Sequence, residues 1–124
     1  MNWSGVLVVA AALLGSAPAA HAQRAFNGNW SVEVVTERGN CDRAYRFPVI
    51  IENGRVRYGG REGINISGTV NARGTIRSSI AADGLRAEVQ GRLRAQDGTG
   101  TWSIAGNRTC SGVWNAERRA APAA

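Results

Sequence analysis

The sequence contains no lysine. All 15 basic side chains are arginine, and against nine carboxylates they leave a formal net charge of +6 over 124 residues. Histidine occurs once, as His21, and methionine once, as Met1; there are two cysteines and three prolines. Each shortage excludes something. Two cysteines are too few for a cysteine-rich zinc module, and the length allows one domain with a modest core rather than two. No collagen-like or heptad repeat is present. A membrane-spanning helix takes about 18 apolar residues or more. No run beyond Leu14 approaches that length.

What is present begins with a targeting pattern. Val6 to Leu14 is apolar, Gly15 and Ser16 follow, and the alanine-rich stretch ends Ala20-His21-Ala22. A short apolar core with small residues at −3 and −1 predicts a secretory signal over residues 1–22, cut before Gln23. The segment before the apolar core, Met1 to Ser4, departs from the pattern in having no Lys or Arg. The expectation is a periplasmic or secreted protein with no transmembrane span in the mature chain. Cleavage would remove the one histidine and leave all the arginines.

Turn signals punctuate the rest: Arg38-Gly39-Asn40, Asn53-Gly54, Gly59-Gly60, Arg73-Gly74, Asp83-Gly84, Asp97-Gly98 and Gly106-Asn107. Asn-Gly and Asp-Gly favour two-residue hairpins because both central positions need φ > 0. Between the turns, side chains alternate with period two. Trp30, Val32 and Val34 share one face; so do Tyr45, Phe47, Val49 and Ile51; so do Leu85, Ala87, Val89, Gly91 and Leu93, opposite Arg86, Glu88, Gln90, Arg92 and Arg94. Eight strands are predicted, near 29–36, 44–52, 55–59, 64–71, 75–81, 85–95, 99–105 and 109–117. The fold class is all-β: a small antiparallel up-and-down barrel or meander over residues 23–119, followed by an Ala/Pro tail at 120–124. Closure is favoured because it removes exposed edges.

The cysteines bear on closure. Cys41 follows the first strand and Cys110 lies at the start of the last, and these points are neighbours when strand one pairs with strand eight. A bridge there closes a loop of about 70 residues, worth roughly 4 kcal/mol in the chain-entropy model. An even count in an oxidising compartment predicts pairing. An activated thiol would need a group such as histidine beside it, and the mature chain has none.

Three Gly-x-Trp triplets recur: Gly28-Asn29-Trp30, Gly100-Thr101-Trp102 and Gly112-Val113-Trp114. Glycine there allows a bend or a close approach between strands. Trp30 and Trp114, with Trp102 as a third member, are expected to form an aromatic plug at one barrel end. The plug is either core packing or a stacking surface for a sugar or other flat ligand.

Gly28-x-Trp30 opening the first strand, with Arg118-Arg119 after the last, resembles the calycin pattern of lipocalin-like barrels. That likeness implies that a late arginine packs across the first tryptophan. The mature chain is short for a lipocalin, so little internal volume is expected. In size, export and disulfide, the sequence also resembles small exported bacterial barrels that inhibit proteases or lysozyme. A longer pattern covers most of the mature chain: Phe26-x-Gly-x-Trp30, Cys41-Asp42-Arg43-x-Tyr45-Arg46-x-Pro48, Gly100-Thr-Trp102, and Cys110-x-Gly112-x-Trp114-x-Ala-Glu117-Arg118. It is similar to small exported proteobacterial proteins with one disulfide, a likeness that implies location and brings no activity with it.

Two groups of side chains are candidates for ligand or partner contact. Asp42, Arg43, Tyr45 and Arg46 either bind an anion or form a structural turn in which Asp42 pairs with an arginine. Arg92 and Arg94, with Arg55, Arg57, Arg77 and Arg86, form an outward basic belt suited to phosphate or carboxylate groups. The alternative for the belt is compositional, arginine standing in for lysine in a high-GC genome. The aromatics face inward by parity, so nucleic acid, which needs exposed stacking surfaces, is disfavoured.

The inventory weighs against catalysis. Without histidine, lysine or a free thiol the usual general bases and nucleophiles are missing, and His-, Cys- or Met-held metal sites and haem are excluded. A glycosidase-type carboxylate pair would have to come from Glu33, Glu52 or Glu88, and nothing in the spacing brings two together. No metal or cofactor is implied. The leading expectation is a non-enzymatic exported module that binds an anionic polysaccharide, a lipid headgroup or another glycan component of the envelope. The alternatives are an inhibitor of a secreted hydrolase and a structural envelope protein.

Overall fold

The computed structural model describes residues 24–104 and 109–119; the expected signal segment at 1–22, the Gly106-Asn107 turn and the tail at 120–124 lie outside the described residues. The chain forms eight strands: β1 (Gly28–Arg38), β2 (Ala44–Glu52), β3 (Arg55–Tyr58), β4 (Asn65–Val70), β5 (Thr75–Ala82), β6 (Leu85–Leu93), β7 (Asp97–Ile104) and β8 (Cys110–Arg119). Each pairs antiparallel with the next, and β1 pairs with β8, so the sheet is a closed up-and-down barrel. The closing seam runs from Asn29 opposite Arg119 to Arg38 opposite Ser111, with a register shift between Thr36 and Arg38.

Local chemistry accounts for the turns. Asn53-Gly54 and Asp83-Gly84 adopt positive φ at both residues, as two-residue hairpin turns require. Asp97-Gly98 carries the same turn chemistry but is the start of β7, where Gly98 faces Leu93. A Cβ on Gly98 would come within 2.5 Å of the Leu93 side chain, so glycine there admits the neighbouring leucine into the core. The turn falls one step earlier, where the Arg94 amide donates to the Asp97 carbonyl at 2.6 Å.

The period-two faces sort as the sequence implies. Val34, Val49, Ile51, Val56, Ile66, Val70 and Ile76 point inward and are buried, while Arg86, Glu88, Gln90 and Arg92 lie on the outer face, the charged side chains exposed. Cys41 and Cys110 form a disulfide with Cα atoms 6.2 Å apart across 69 residues of chain. It joins the loop after β1 to the first residue of β8.

The two barrel ends differ. At one end the chain before β1 folds into a turn, with the Asn27 amide donating to the Arg24 carbonyl at 3.1 Å. The Trp30 indole donates to the Phe26 carbonyl at 3.0 Å, and Arg118 Nη2 donates to the Ala25 carbonyl at 2.9 Å. The Asn53 amide donates to Asn27 Oδ1 at 2.7 Å. Phe26 is thereby carried across the end of the barrel toward the β4–β5 turn, where its ring would lie 3.2 Å from a Cβ on Gly74. This end is closed. The other end, framed by the β1–β2 loop and the β5–β6 turn, has no such cover among the described residues.

Candidate functional site

The barrel encloses a cavity of about 480 Å³. Its wall is apolar from Trp30 and Leu93 at the closed end, through Val34, Ile66 and Ala87, to Ile104 near the open end. Ser78 is an inward hydroxyl in this wall, and its Oγ donates to the Ser67 carbonyl at 2.8 Å. The volume falls within the roughly 300–1,000 Å³ of small-molecule sites. This corrects the expectation that so short a chain leaves little internal space.

The space exists because the large side chains lie against the wall. Gly100 stands opposite Trp114, and Trp102 opposite Gly112, on the paired strands β7 and β8. The two triplets are thus reciprocal in register, but the glycines act differently: Gly100 clears the place of Trp114, while a Cβ on Gly112 would overlap the Val35 carbonyl of β1. The Trp114 indole lies over Gly100 and Gly91 and donates to the Gln90 carbonyl on β6 at 3.1 Å; a Cβ on either glycine would come within 2.6 Å of the ring. The Trp102 indole reaches past β8 to the Val35 carbonyl on β1 at 3.0 Å. Both N–H groups are satisfied by backbone, and neither ring needs the centre of the barrel.

The predicted aromatic plug is therefore corrected. Trp30 belongs to the closed end, where the Arg118 guanidinium lies 4.9 Å from its ring centroid. Trp114 sits midway along β8, and Trp102 is two residues from the open-end edge of β7. The tryptophans are thus spread over the height of the wall: Trp102 and Trp114 face glycines across β7 and β8, whereas Trp30 faces Val49 and Arg118.

The candidate contact residues fall into two places. Asp42, Arg43, Tyr45 and Arg46 lie at the open end, and Asp42 and Tyr45 line the cavity mouth. Asp42 accepts a hydrogen bond from the Tyr45 hydroxyl at 2.5 Å, and its carbonyl accepts from Thr36 Oγ1 at 2.6 Å. Among the described residues Asp42 has no arginine partner, contrary to expectation. Arg46 points outward on β2 and meets Glu33 at 3.6 Å and Ser31 Oγ at 3.2 Å, because parity puts Arg46 and Glu33 on the same outer face. Arg43 is exposed, and its carbonyl accepts from the Thr36 amide. Arg92 and Arg94 lie at the end of β6, at the closed end. The two groups do not converge.

Behind Tyr45 the aromatic contacts run deeper, Tyr45 to Phe47 at 5.8 Å and Phe47 to Tyr58 at 6.5 Å between centroids. The disulfide also belongs to this end, Cys41 lining the mouth and Cys110 fully buried. The three glutamates considered as catalytic carboxylates stand on the outer faces of β1, β2 and β6, each beside its own arginine: Glu33 with Arg46, Glu52 with Arg57, Glu88 with Arg86. The Arg86 guanidinium, with the Ser79 hydroxyl, holds the Glu88 carboxyl below the ordinary glutamate value.

Sequence reasoning misses the cavity, although a signal for it exists. Among the inward positions on β6 to β8, shared with Leu93, Trp102 and Trp114, stand Ala87, Gly91, Gly98, Gly100, Gly112 and Ala116, too small to meet across a barrel. Phe26, just ahead of β1, gives no periodic signal of its capping role. The chain matches no protein-family model, no curated protein and no solved structure.

Proposed function

We propose that the protein is a non-enzymatic binding module that holds one small apolar or amphiphilic molecule inside the barrel. The observation that carries this reading is the cavity, apolar along its length, closed at the Trp30 end and open beside Tyr45. A preformed apolar site gains affinity from removing ligand surface from water, at about 25 cal/mol per Å², without ordering the protein first. The hydroxyl of Tyr45 and the carboxylate of Asp42 at the mouth supply the polar groups that would meet the exposed end of an amphiphile. The disulfide is consistent with an exported protein, since such bonds persist in oxidising compartments.

Tryptophan lines the cavity at three positions, so binding is readable by intrinsic fluorescence. Titration with an environment-sensitive apolar dye, followed by its displacement with alcohols and acids of increasing chain length, is expected to give one site per chain. Ala87→Phe and Val34→Phe, which fill the cavity, are expected to abolish dye binding while the protein remains folded by circular dichroism. Undiminished binding in both filled variants would place the ligand elsewhere and sink the reading.

A further inference from the structure

The arginines are not distributed evenly in their partnerships. Arg46, Arg57, Arg86 and Arg119 each have a carboxylate within ion-pair distance. Among the described residues the remaining arginines have none. Arg24 and Arg118 belong to the cap around Trp30, and Arg38, Arg43 and Arg61 lie toward the open end among Glu37, Asp42, Glu62 and Asp83. The others are Arg55, Arg73, Arg77, Arg92 and Arg94. These five are exposed and gather toward the closed end. Arg55 opens β3, Arg73 stands in the β4–β5 turn, Arg92 is near the end of β6 and Arg94 follows it. The Leu93 amide donates to the Gly74 carbonyl at 2.7 Å, which ties the Arg73 turn to the Arg92–Arg94 segment.

Register shows what lies between them. Arg55 faces Thr69, which faces Arg77; Arg92 faces Thr75 on one side and Thr99 on the other. The intervening side chains are hydroxyls. Of the nearby carboxylates, Glu52 faces Arg55 across β2 and β3 and is ion-paired with Arg57, Asp97 closes the turn after Arg94, and Glu117 opposes Asp97 on β8 within reach of Arg119. The result is an end where guanidinium groups outnumber the carboxylates, each able to present a planar fork to a phosphate.

We infer that this closed end docks on a bilayer surface bearing anionic lipid headgroups, with the cavity mouth turned toward the aqueous phase. A phosphate-bearing surface fits better than a glycan or nucleic acid for two reasons. Recognition of sugars and bases uses exposed aromatic faces, and among the described residues the exposed large apolar side chain is Tyr45, at the opposite end. The patch is also built from turns and strand ends around one barrel end, a shape that meets a plane rather than follows a strand. The inference does not depend on what occupies the cavity.

The test is co-sedimentation of the oxidised protein with zwitterionic vesicles, with and without an anionic phospholipid, at low and high salt. Binding is expected only with anionic lipid and is expected to fall as salt screens the surface. Each arginine near such a surface is worth roughly fivefold in affinity, so Arg55→Gln, Arg73→Gln, Arg92→Gln and Arg94→Gln together should weaken binding by about a hundredfold or more. A control with the same charge change at the open end, Arg38→Gln, Arg43→Gln, Arg61→Gln and Arg86→Gln, should lose far less. Thermal melts establish that both variants are folded. Equal losses in the two variants would show that net charge alone attracts the protein, overturning the patch. Tight binding to a soluble sulfated polysaccharide without binding to anionic vesicles would overturn the bilayer as partner.

Discussion

Arg118 lies opposite Trp30 across the β1–β8 seam, its guanidinium carbon 4.9 Å from the indole centroid. The same guanidinium donates to the Ala25 carbonyl while the indole N–H donates to the Phe26 carbonyl. One cation–ring pair thus fastens the turn that closes the barrel. The first and last strands are joined at this point not only by backbone pairing but by a shared grip on the residues ahead of β1.

Replacing Arg118 should therefore loosen the cap before it loosens the sheet. Arg118→Ala removes the cation–π contact and leaves the Ala25 carbonyl without that donor, together about 1–3 kcal/mol. Amide exchange is expected to rise at Phe26 and Asn27 while β5 and β6 stay protected. Arg118→Lys keeps the charge but not the planar fork, and should recover only part of the loss. Uniform exchange across all strands would show that Arg118 supports the whole barrel rather than its cap.

The disulfide governs the opposite end. Converting Cys41 and Cys110 to alanine frees a loop of about 70 residues in the unfolded chain and should cost roughly 4 kcal/mol, read as a lower denaturation midpoint in urea. Cys110 is buried and Cys41 lines the mouth, so the same change should alter dye binding as well as stability. A variant with unchanged stability would mean that the bridge adds little constraint beyond the β1–β8 pairing.

Acid should act on the outer face at Glu88. Its carboxyl is held below the ordinary glutamate value, chiefly by the hydrogen bond from Arg86 and then by Ser79. A depressed value in the folded state means that the contribution is present above the unfolded value and is lost as pH falls through the folded one. Carbon-detected NMR titration should place the Glu88 midpoint below that of an ordinary glutamate, and Arg86→Gln should move it upward. The pair is solvent-exposed, so the change in global stability should be slight at neutral pH and absent in strong acid. A midpoint unmoved by Arg86→Gln would remove the assigned cause.

Strand positions are legible in the sequence because period-two alternation and Asn-Gly or Asp-Gly turns are local signals. The pairing of Cys41 with Cys110 is legible because a closed eight-strand order makes their strand ends neighbours. Asp97-Gly98 misleads because its turn chemistry is outweighed by a packing role: Gly98 is needed against Leu93. The partners of Asp42 and Arg46 are not legible, since they depend on which side chains share a face across two strands. The cavity is hidden for a related reason. Parity says that an indole points inward, but only the register of β7 on β8 says that it can lie flat on a glycine.

That flat packing can be tested at Gly100. A Cβ there would overlap the Gln90 carbonyl and lie 2.6 Å from Trp114 Nε1, so Gly100→Ala cannot be accommodated without moving the indole. The indole N–H would lose its carbonyl, and the ring would swing off the wall into the space it now leaves empty. Overpacking at about 1–3 kcal/mol and an unsatisfied buried donor at about 1–3 kcal/mol predict a total loss of about 2–6 kcal/mol. The ligand site should fail with it: dye binding is expected to drop, and Trp114 fluorescence to change, even at temperatures where the variant is folded. Adding Trp114→Phe removes the donor and shortens the ring, so the double variant should regain cavity volume and dye binding while the clash with the Gln90 carbonyl remains. If Gly100→Ala lowers stability but leaves binding intact, the indole does not border the ligand, and the link between the glycine–tryptophan pairs and the cavity is broken.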